Sequence, residues 1–387
     1  MADTLQLAKL TSNPFSLVPG RRVTVWAGYN ELLQQLLDIV ESCRSDRVGL
    51  SEFAVLHGDL GTGKSHALRY LEYWITEARK DEFNSAVVHL ETPKVAPTMS
   101  FVAIYRKIIE NLVPHIRETA EWLDMAIEDA VRKEKPSARR DELDTAINEK
   151  YRDPNITPSF PPLSLLLKGI KENKADAMSL LSGQAPKGIK LDTYGLIRPI
   201  DTEYDAVKSL GAYVNLCTRG TSALSEGGVL ARNKAFYFFL DEIELMLDFK
   251  PAEALSINHG LRDLINACPE NCCFLLGMTG DVRQIFAIFT QYVMGRMSHN
   301  PIEIQPLEIE QAVTFLKEVL KGYRSDPTDP DEYPFREDAL RKIAEETQNK
   351  NARDLFRSCR RVLEKAVLAN RLTPGGWIEA VDVEEFL

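Results

Sequence analysis

Residues 58–65 read GDLGTGKS and fit the spacing G-x-x-x-x-G-K-[ST], whose residue types suit one task, the gripping of a nucleotide's phosphates. Gly58, Gly61 and Gly63 let the backbone curl until its N–H groups face inward, and the helix that follows adds the positive end of its dipole. Lys64 then reaches the β- and γ-phosphates, and the hydroxyl of Ser65 is placed to ligate Mg2+. The expected nucleotide-binding set is Gly58, Asp59, Leu60, Gly61, Thr62, Gly63, Lys64, Ser65 and His66. A Gly-rich turn can be only a tight connection. A Lys-Ser pair at this offset, after an apolar run and before a helix, supplies the context that the motif demands.

A second stretch, AFYFFLDEIE at 235–244, drives an apolar run into two carboxylates. Asp241 suits the orientation of Mg2+ through its water shell, and Glu242 suits the polarising of an attacking water. Acidic residues also simply end strands; downstream of a full phosphate loop the chemical role is the stronger reading. The run CCFLLGMTG at 272–280 carries Thr279 at its polar end, where it either holds the lytic water, senses the γ-phosphate or caps the next helix. In NAR at 351–353, Arg353 opens a helix, a position that either faces a phosphate or leaves the arginine exposed. Trp26 and Tyr29 offer a surface for a base, or are core aromatics.

These residues need a sheet to hold them. Phe53–Leu71 reads as strand, loop and helix, Ser85–Glu91 as a second strand ended by Thr92-Pro93, residues 235–240 and 272–279 as buried strands without polar alternation, and Ile302–Leu307 as a fifth. The polar end of the second strand, His89, Glu91 and Thr92, falls at the edge where open α/β sheets bind ligands. Helices are expected at about 31–43, 101–113, 121–135 and 254–267, with Phe286–Ser298 as one further helix. Pro14, Pro19, Gly20 and Gly28 make 1–30 an irregular lead-in. Ile309–Leu320, Arg336–Glu346 and Ala352–Asn370 are amphipathic and form a small helical unit. The expected division is 1–48, a lead-in with a helix; 49–307, a nucleotide-binding domain interrupted by an insertion at about 118–231; and 308–387, a helical lid.

The chain has 387 residues, a net charge of −10 and a hydrophobic content of 44%, ordinary for a globular protein with a real core. No apolar run approaches the roughly 18 residues that cross a bilayer, and MADTLQLAKLTSNPF lacks a signal peptide's apolar centre, so a cytoplasmic protein without membrane association is expected. Six cysteines without matching C-x-x-C and His spacing read as reduced thiols. The acidic balance argues against an overall nucleic-acid footprint. The insertion's Arg132, Lys133, Lys135, Arg139, Arg140, Lys168, Lys171 and Lys174 are either solvated helix faces or a local DNA or partner surface.

As a set, NPF at 13–15, GDLGTGKS, FFLDEIE, the Thr279 strand, an arginine after it and NAR resemble the AAA+ ATPases of the branch that includes replication initiators and transposition regulators, over about 13–120 and 230–375. The resemblance implies a parallel α/β P-loop domain with a helical lid, hydrolysing ATP with Mg2+. It assigns Lys64 and Ser65 to Walker A, Asp241 and Glu242 to Walker B, Thr279 to sensor 1 and Arg353 to sensor 2. It makes Arg296, or in competition Arg283, the arginine that reaches a neighbouring subunit's γ-phosphate, hence a homo-oligomer. NPF, LLSGQ at 180–184 and DEIE are also similar to ATPases of bacterial BREX-type anti-phage defence islands. The function so implied is an ATP-switched oligomer acting on DNA or on proteins of the same defence or mobile-element system. Alternatives are a transposition target-selection regulator and a nucleotide-dependent signalling scaffold with slow hydrolysis.

Overall fold

A computed structural model of the chain describes residues 2–17, 20, 23–92, 99–224 and 231–387; Pro19 and Pro93, read from the sequence as breaks, lie outside them. Five parallel strands form the centre: β1 (Ser51–Gly58), β2 (Ala86–Glu91), β3 (Phe236–Asp241), β4 (Cys272–Thr279) and β5 (Ile302–Glu303), in the order β2-β3-β4-β1-β5. All six residues of β3 are buried, as are the first seven of β4, because helices cover both faces and a strand so placed has no polar side. The fifth strand is shorter than expected. Ile304 still donates to the His57 carbonyl at 2.8 Å, but the Leu307 N–H turns to the Lys350 carbonyl instead.

Helices α1 (Ala2–Leu7) and α2 (Asn30–Ser42) precede the sheet, and α3 (Lys64–Tyr73) and α4 (Lys80–Phe83) link β1 to β2. Next comes α5 (Phe101–Glu134), one helix of 34 residues where two were expected. It runs through Pro114 because its buried face does not stop there: Leu112, Ile116, Ala120, Leu123 and Ile127 continue at helical spacing. An interior proline costs about 3 kcal/mol, and each fully buried aliphatic side chain returns ~1.5–3. The insertion continues through α6 (Arg140–Tyr151), α7 (Pro162–Lys171), α8 (Ala175–Leu181) and α9 (Glu203–Arg219), whose apolar faces join α5 and one face of the sheet in one core. LLSGQ ends α8: the Leu181 carbonyl accepts from the Tyr105 hydroxyl and the Gly183 carbonyl from the Arg106 guanidinium. The motif is thus a turn pinned to α5.

After β3, α10 (Pro251–Ala267) leads to β4. The helix expected over 286–298 is two pieces, α11 (Val282–Ile288) and α12 (Gln291–Met294). The cause is Asn258 on α10, a buried amide that accepts from the Thr290 N–H at 2.9 Å and donates to the Ile288 carbonyl at 3.0 Å, so it takes the backbone groups that helix continuation would use. The C-terminal unit contains α13 (Ile309–Gly322), α14 (Glu337–Glu346), α15 (Ala352–Leu368) and a further α16 (Ala380–Phe386). Its core takes in Ala8, Leu10, Phe15 and Ala27 from the N-terminal segment. Phe15 is fully buried, edge-on to Phe335 and close to Phe356.

From that core the N-terminal segment crosses to the phosphate-loop helix. The Gly20 carbonyl accepts from Arg69 and the Val25 carbonyl from His66, while the Gly28 N–H donates to Glu318 of α13 at 2.6 Å. All six cysteines are free and buried. Among the described residues no helix is long and apolar enough to cross a membrane.

Candidate nucleotide site

Strand register brings the chemistry together. Gly58, where β1 opens into the loop, lies opposite Thr279 at the end of β4, and Asp241 ends β3 opposite Glu91 on β2. The loop, both acids and Thr279 therefore share the C-terminal edge of the sheet, at the point where β1 is flanked by β4 and β5.

Within the loop, Gly58 has φ 152° and an added Cβ there would lie 2.6 Å from the Ile304 carbonyl oxygen. Gly63 caps α3 at φ 108°, a left-handed value that only glycine adopts freely. The Thr62 hydroxyl donates to the Asp59 carbonyl at 2.9 Å and tightens the turn. Lys64 is 6% exposed and its ammonium donates to the carbonyls of Gly58, at 2.9 Å, and Asp59, at 2.8 Å. Burial pulls its pKa down; the carboxylates of Glu244, Asp241 and Asp59 oppose that, and Arg353 adds to it. This ammonium now donates to neutral carbonyls beside a curled glycine loop, and an anionic phosphate is the stronger acceptor that would replace them. Ser65 follows it in the first turn of α3, half-buried.

Asp241 is 3% exposed and accepts the Glu242 N–H at 2.9 Å. Its carboxylate lies over Gly277 of β4, where an added Cβ would sit 2.6 Å from Oδ1 and 3.0 Å from a methyl of Leu68 on α3. Gly277 is thus a residue of the site that the sequence reading passed over; the available signal was a glycine inside an otherwise apolar strand. Gly277→Ala is expected to displace Asp241, costing roughly 1–3 kcal/mol of stability in denaturant unfolding and weakening Mg2+-dependent nucleotide binding. Glu242 is left-handed at φ 56°, ψ 38°, and caps a 3-10 turn over Ile243–Asp248. A non-glycine residue in this conformation stores strain of the kind found at functional sites.

Thr279 does not cap the next helix: Asp281 does, accepting from the N–H groups of Arg283 and Gln284. Nor does Arg353 stand alone on the lid. Its N–H donates to the Gly61 carbonyl at 3.2 Å, and a Cβ on Gly61 would meet the Arg353 Cβ at 2.7 Å. Asn351 caps the same helix by accepting the Asp354 N–H at 2.9 Å. The start of α15 therefore rests on the phosphate loop. Arg296, in the turn after α12, and Arg283 at the start of α11 are exposed. Among the described residues neither side chain has an ion pair, and exposed Phe286 and Tyr292 stand near them in the chain.

The aromatic lead-in is occupied internally. Trp26 donates to the Gly28 carbonyl and lies 5.2 Å from Tyr70, and the Tyr29 hydroxyl donates to the Gln305 carbonyl while its ring meets Phe315 edge-on. Both are half-buried at the edge of the core, Trp26 against α3 and Tyr29 against α13. His66 meets the Val25 carbonyl at 2.9 Å, so its Nε2 carries the hydrogen; burial holds the ring below its usual pKa and neutral. At the β2 end, Glu91 pairs with Arg69 at 2.9 Å, His89 with Glu72 at 2.7 Å, and Thr92 donates to the Asp241 carbonyl. In the insertion, Arg132, Lys133 and Arg139 pair with Glu128, Asp129 and Glu142, and Lys168, Lys171 and Lys174 with Glu172, Asp124 and Glu172. Those six fit solvated, ion-paired helix faces, whereas Lys135 and Arg140 are exposed and have no ion pair among the described residues.

The sequence matches no protein-family profile and no curated protein. Among solved structures the chain is similar to the Aeropyrum pernix ORC2 protein, solved as ADPNP-ADP complexes, with a TM-score of 0.50 and 14% identity over 96% of this chain and 70% of that one. The fold is that of the AAA+ P-loop ATPases. The chain also matches Drosophila ORC bound to DNA, at a TM-score of 0.49 and 12% identity over 99% of this chain but only 65% of that one. It matches the Aeropyrum pernix ORC1 protein in complex with DNA as well, at 0.48 and 12% identity over 97% and 69%. At these identities the likeness concerns the fold alone, and this chain spans about two thirds of the length of each of these three proteins.

Proposed function

We propose that the chain binds ATP with Mg2+ and hydrolyses it, as an oligomer whose nucleotide state controls its hold on DNA or partner proteins in cytoplasmic bacterial anti-phage defence. The observation that carries the ATPase reading is the convergence on one sheet edge of a buried, carbonyl-bound Lys64, the Asp241-Glu242 pair and Thr279, closed by Arg353 on Gly61. Residues 58–66 would cradle the phosphates, with Lys64 leaving its carbonyls for phosphate oxygens. Ser65 and Asp241 would hold Mg2+, which supplies charge neutralisation at the phosphates. Glu242 takes the proton of the attacking water, Thr279 orients that water, and Arg353 reports the phosphate to the lid.

The proposed units are 1–48, 49–307 with the insertion at about 118–231, and the lid 308–387. The defence assignment rests on NPF, LLSGQ and DEIE. The insertion's ion-paired cations favour a protein client over a broad DNA face there. The deciding measurement is phosphate release by the purified chain. Mg2+-dependent turnover that is lost on chelation is expected; a chain that neither binds nor hydrolyses ATP overturns the reading, and binding without turnover replaces it with the scaffold.

A further inference from the structure

The DEIE segment ends in a carboxylate to which the proposed chemistry gives no work. Glu244 stands one residue beyond the first turn position of the 3-10 helix that follows Glu242, half-buried. Its Oε2 accepts the backbone N–H of Thr279 at 3.0 Å.

The ladder explains why that hydrogen bond matters. On the β1 side, β4 is paired to its last residue, Thr279 against Gly58, and the Gly280 N–H continues to the Gly58 carbonyl at 3.1 Å. On the β3 side the pairing stops earlier, at Leu240 with Leu276, because β3 turns away at Asp241 and Glu242 adopts its left-handed conformation. The end of β4 would thus lack a backbone acceptor on that side, and an N–H left so at a strand end is costly. The Glu244 carboxylate fills the place. Burial also lowers the pKa of Lys64, and the carboxylates of Glu244 and Asp241 oppose that.

We propose that Glu244 is a positioning residue, a side-chain substitute for the missing β3 acceptor, that fixes Thr279 at its height opposite the phosphate loop. This rests on the ATPase reading for its consequence but not for its geometry. Glu244 acts through Thr279 and needs no contact with substrate. What the position demands is an acceptor oxygen at full glutamate reach. Glutamine offers one; aspartate falls a methylene short, and alanine has none.

The geometry is tested first, in nucleotide-free protein, by site-resolved amide hydrogen exchange. The Thr279 amide is expected to exchange at least ~10-fold faster in Glu244→Ala and Glu244→Asp than in the parent, and at close to the parental rate in Glu244→Gln. Turnover is tested second: Glu244→Ala should lower kcat by about tenfold, the worth of one hydrogen bond, with KM nearly unchanged. Glu244→Gln should recover most of that loss. In a Thr279→Ala background, which keeps the N–H but removes the side chain being positioned, Glu244→Ala should cost nothing further in kcat.

Unchanged exchange at Thr279 in both Glu244→Ala and Glu244→Asp overturns the proposal. So does a Glu244→Gln variant as impaired as Glu244→Ala, which would make the charge and not the acceptor the operative feature, and so do additive losses in the double variant. Should Glu244→Ala fail to fold, Glu244→Asp against Glu244→Gln gives the same comparison with a polar side chain kept at the position. A parent that binds nucleotide without hydrolysing it refutes the ATPase reading, while the exchange experiment still decides the contact.

Discussion

Arg296→Ala is expected to abolish nearly all turnover, by ~10³-fold, while leaving nucleotide affinity close to parental. The side chain has no ion pair among the described residues and lies in an exposed turn, so no carboxylate of its own chain holds it. An arginine's planar fork matches charge spread over phosphoryl oxygens, and exposed Phe286 and Tyr292, at 63% and 71%, give this region an apolar surface for a neighbour to cover. If the residue serves an adjacent subunit, the parent's specific activity rises with protein concentration. Mixing Arg296→Ala subunits with Glu242→Gln subunits should then restore activity, because some interfaces bring an intact Glu242 together with an intact Arg296. Concentration-independent turnover, with Arg296→Ala as active as the parent, rules the shared site out; if Arg283→Ala alone reproduces the loss, that residue takes the role.

Glu242→Gln should bind ATP as the parent does and hydrolyse it ~10²-fold or more slowly, since the amide keeps the side chain's shape but cannot take a proton. Lys64→Ala should differ in kind. It removes the buried ammonium that now rests on the Gly58 and Asp59 carbonyls, so binding and turnover should fall together, the signature of an interaction already made in the ground state. Fluorescent-nucleotide binding alongside phosphate release separates the two. Parental turnover in Glu242→Gln would remove Glu242 from the role of base.

The strands and the loop were readable because their signals are local. β1, β3 and β4 are apolar runs, and the spacing of Gly58, Gly63, Lys64 and Ser65 is a property of eight consecutive residues. What escaped depends on partners distant in sequence. Pro114 suggests a helix end, and only the continuous burial of α5 against the rest of the insertion overrules it. Asn258 splits α11 from α12 across 30 and 32 positions. Gly277 matters because Asp241 lies over it, and Glu244 because β3 stops short of Thr279; neither fact exists until the sheet is assembled. Asp281, not Thr279, proved to be the cap that the sequence left open.

The N-terminal segment gives the lid a second attachment to the sheet domain. One chain crossing joins the sheet to α13 just beyond β5, where the Leu307 N–H is bound to Lys350. A second crossing runs the other way, from the Phe15 core of the lid to the His66 and Arg69 contacts on the phosphate-loop helix. A body tethered at a single point swivels in any direction, whereas one tethered at two separated points turns about the line that joins them. Any movement of the lid is therefore expected to be a turn about that line, and it would break or remake the Arg353–Gly61 contact.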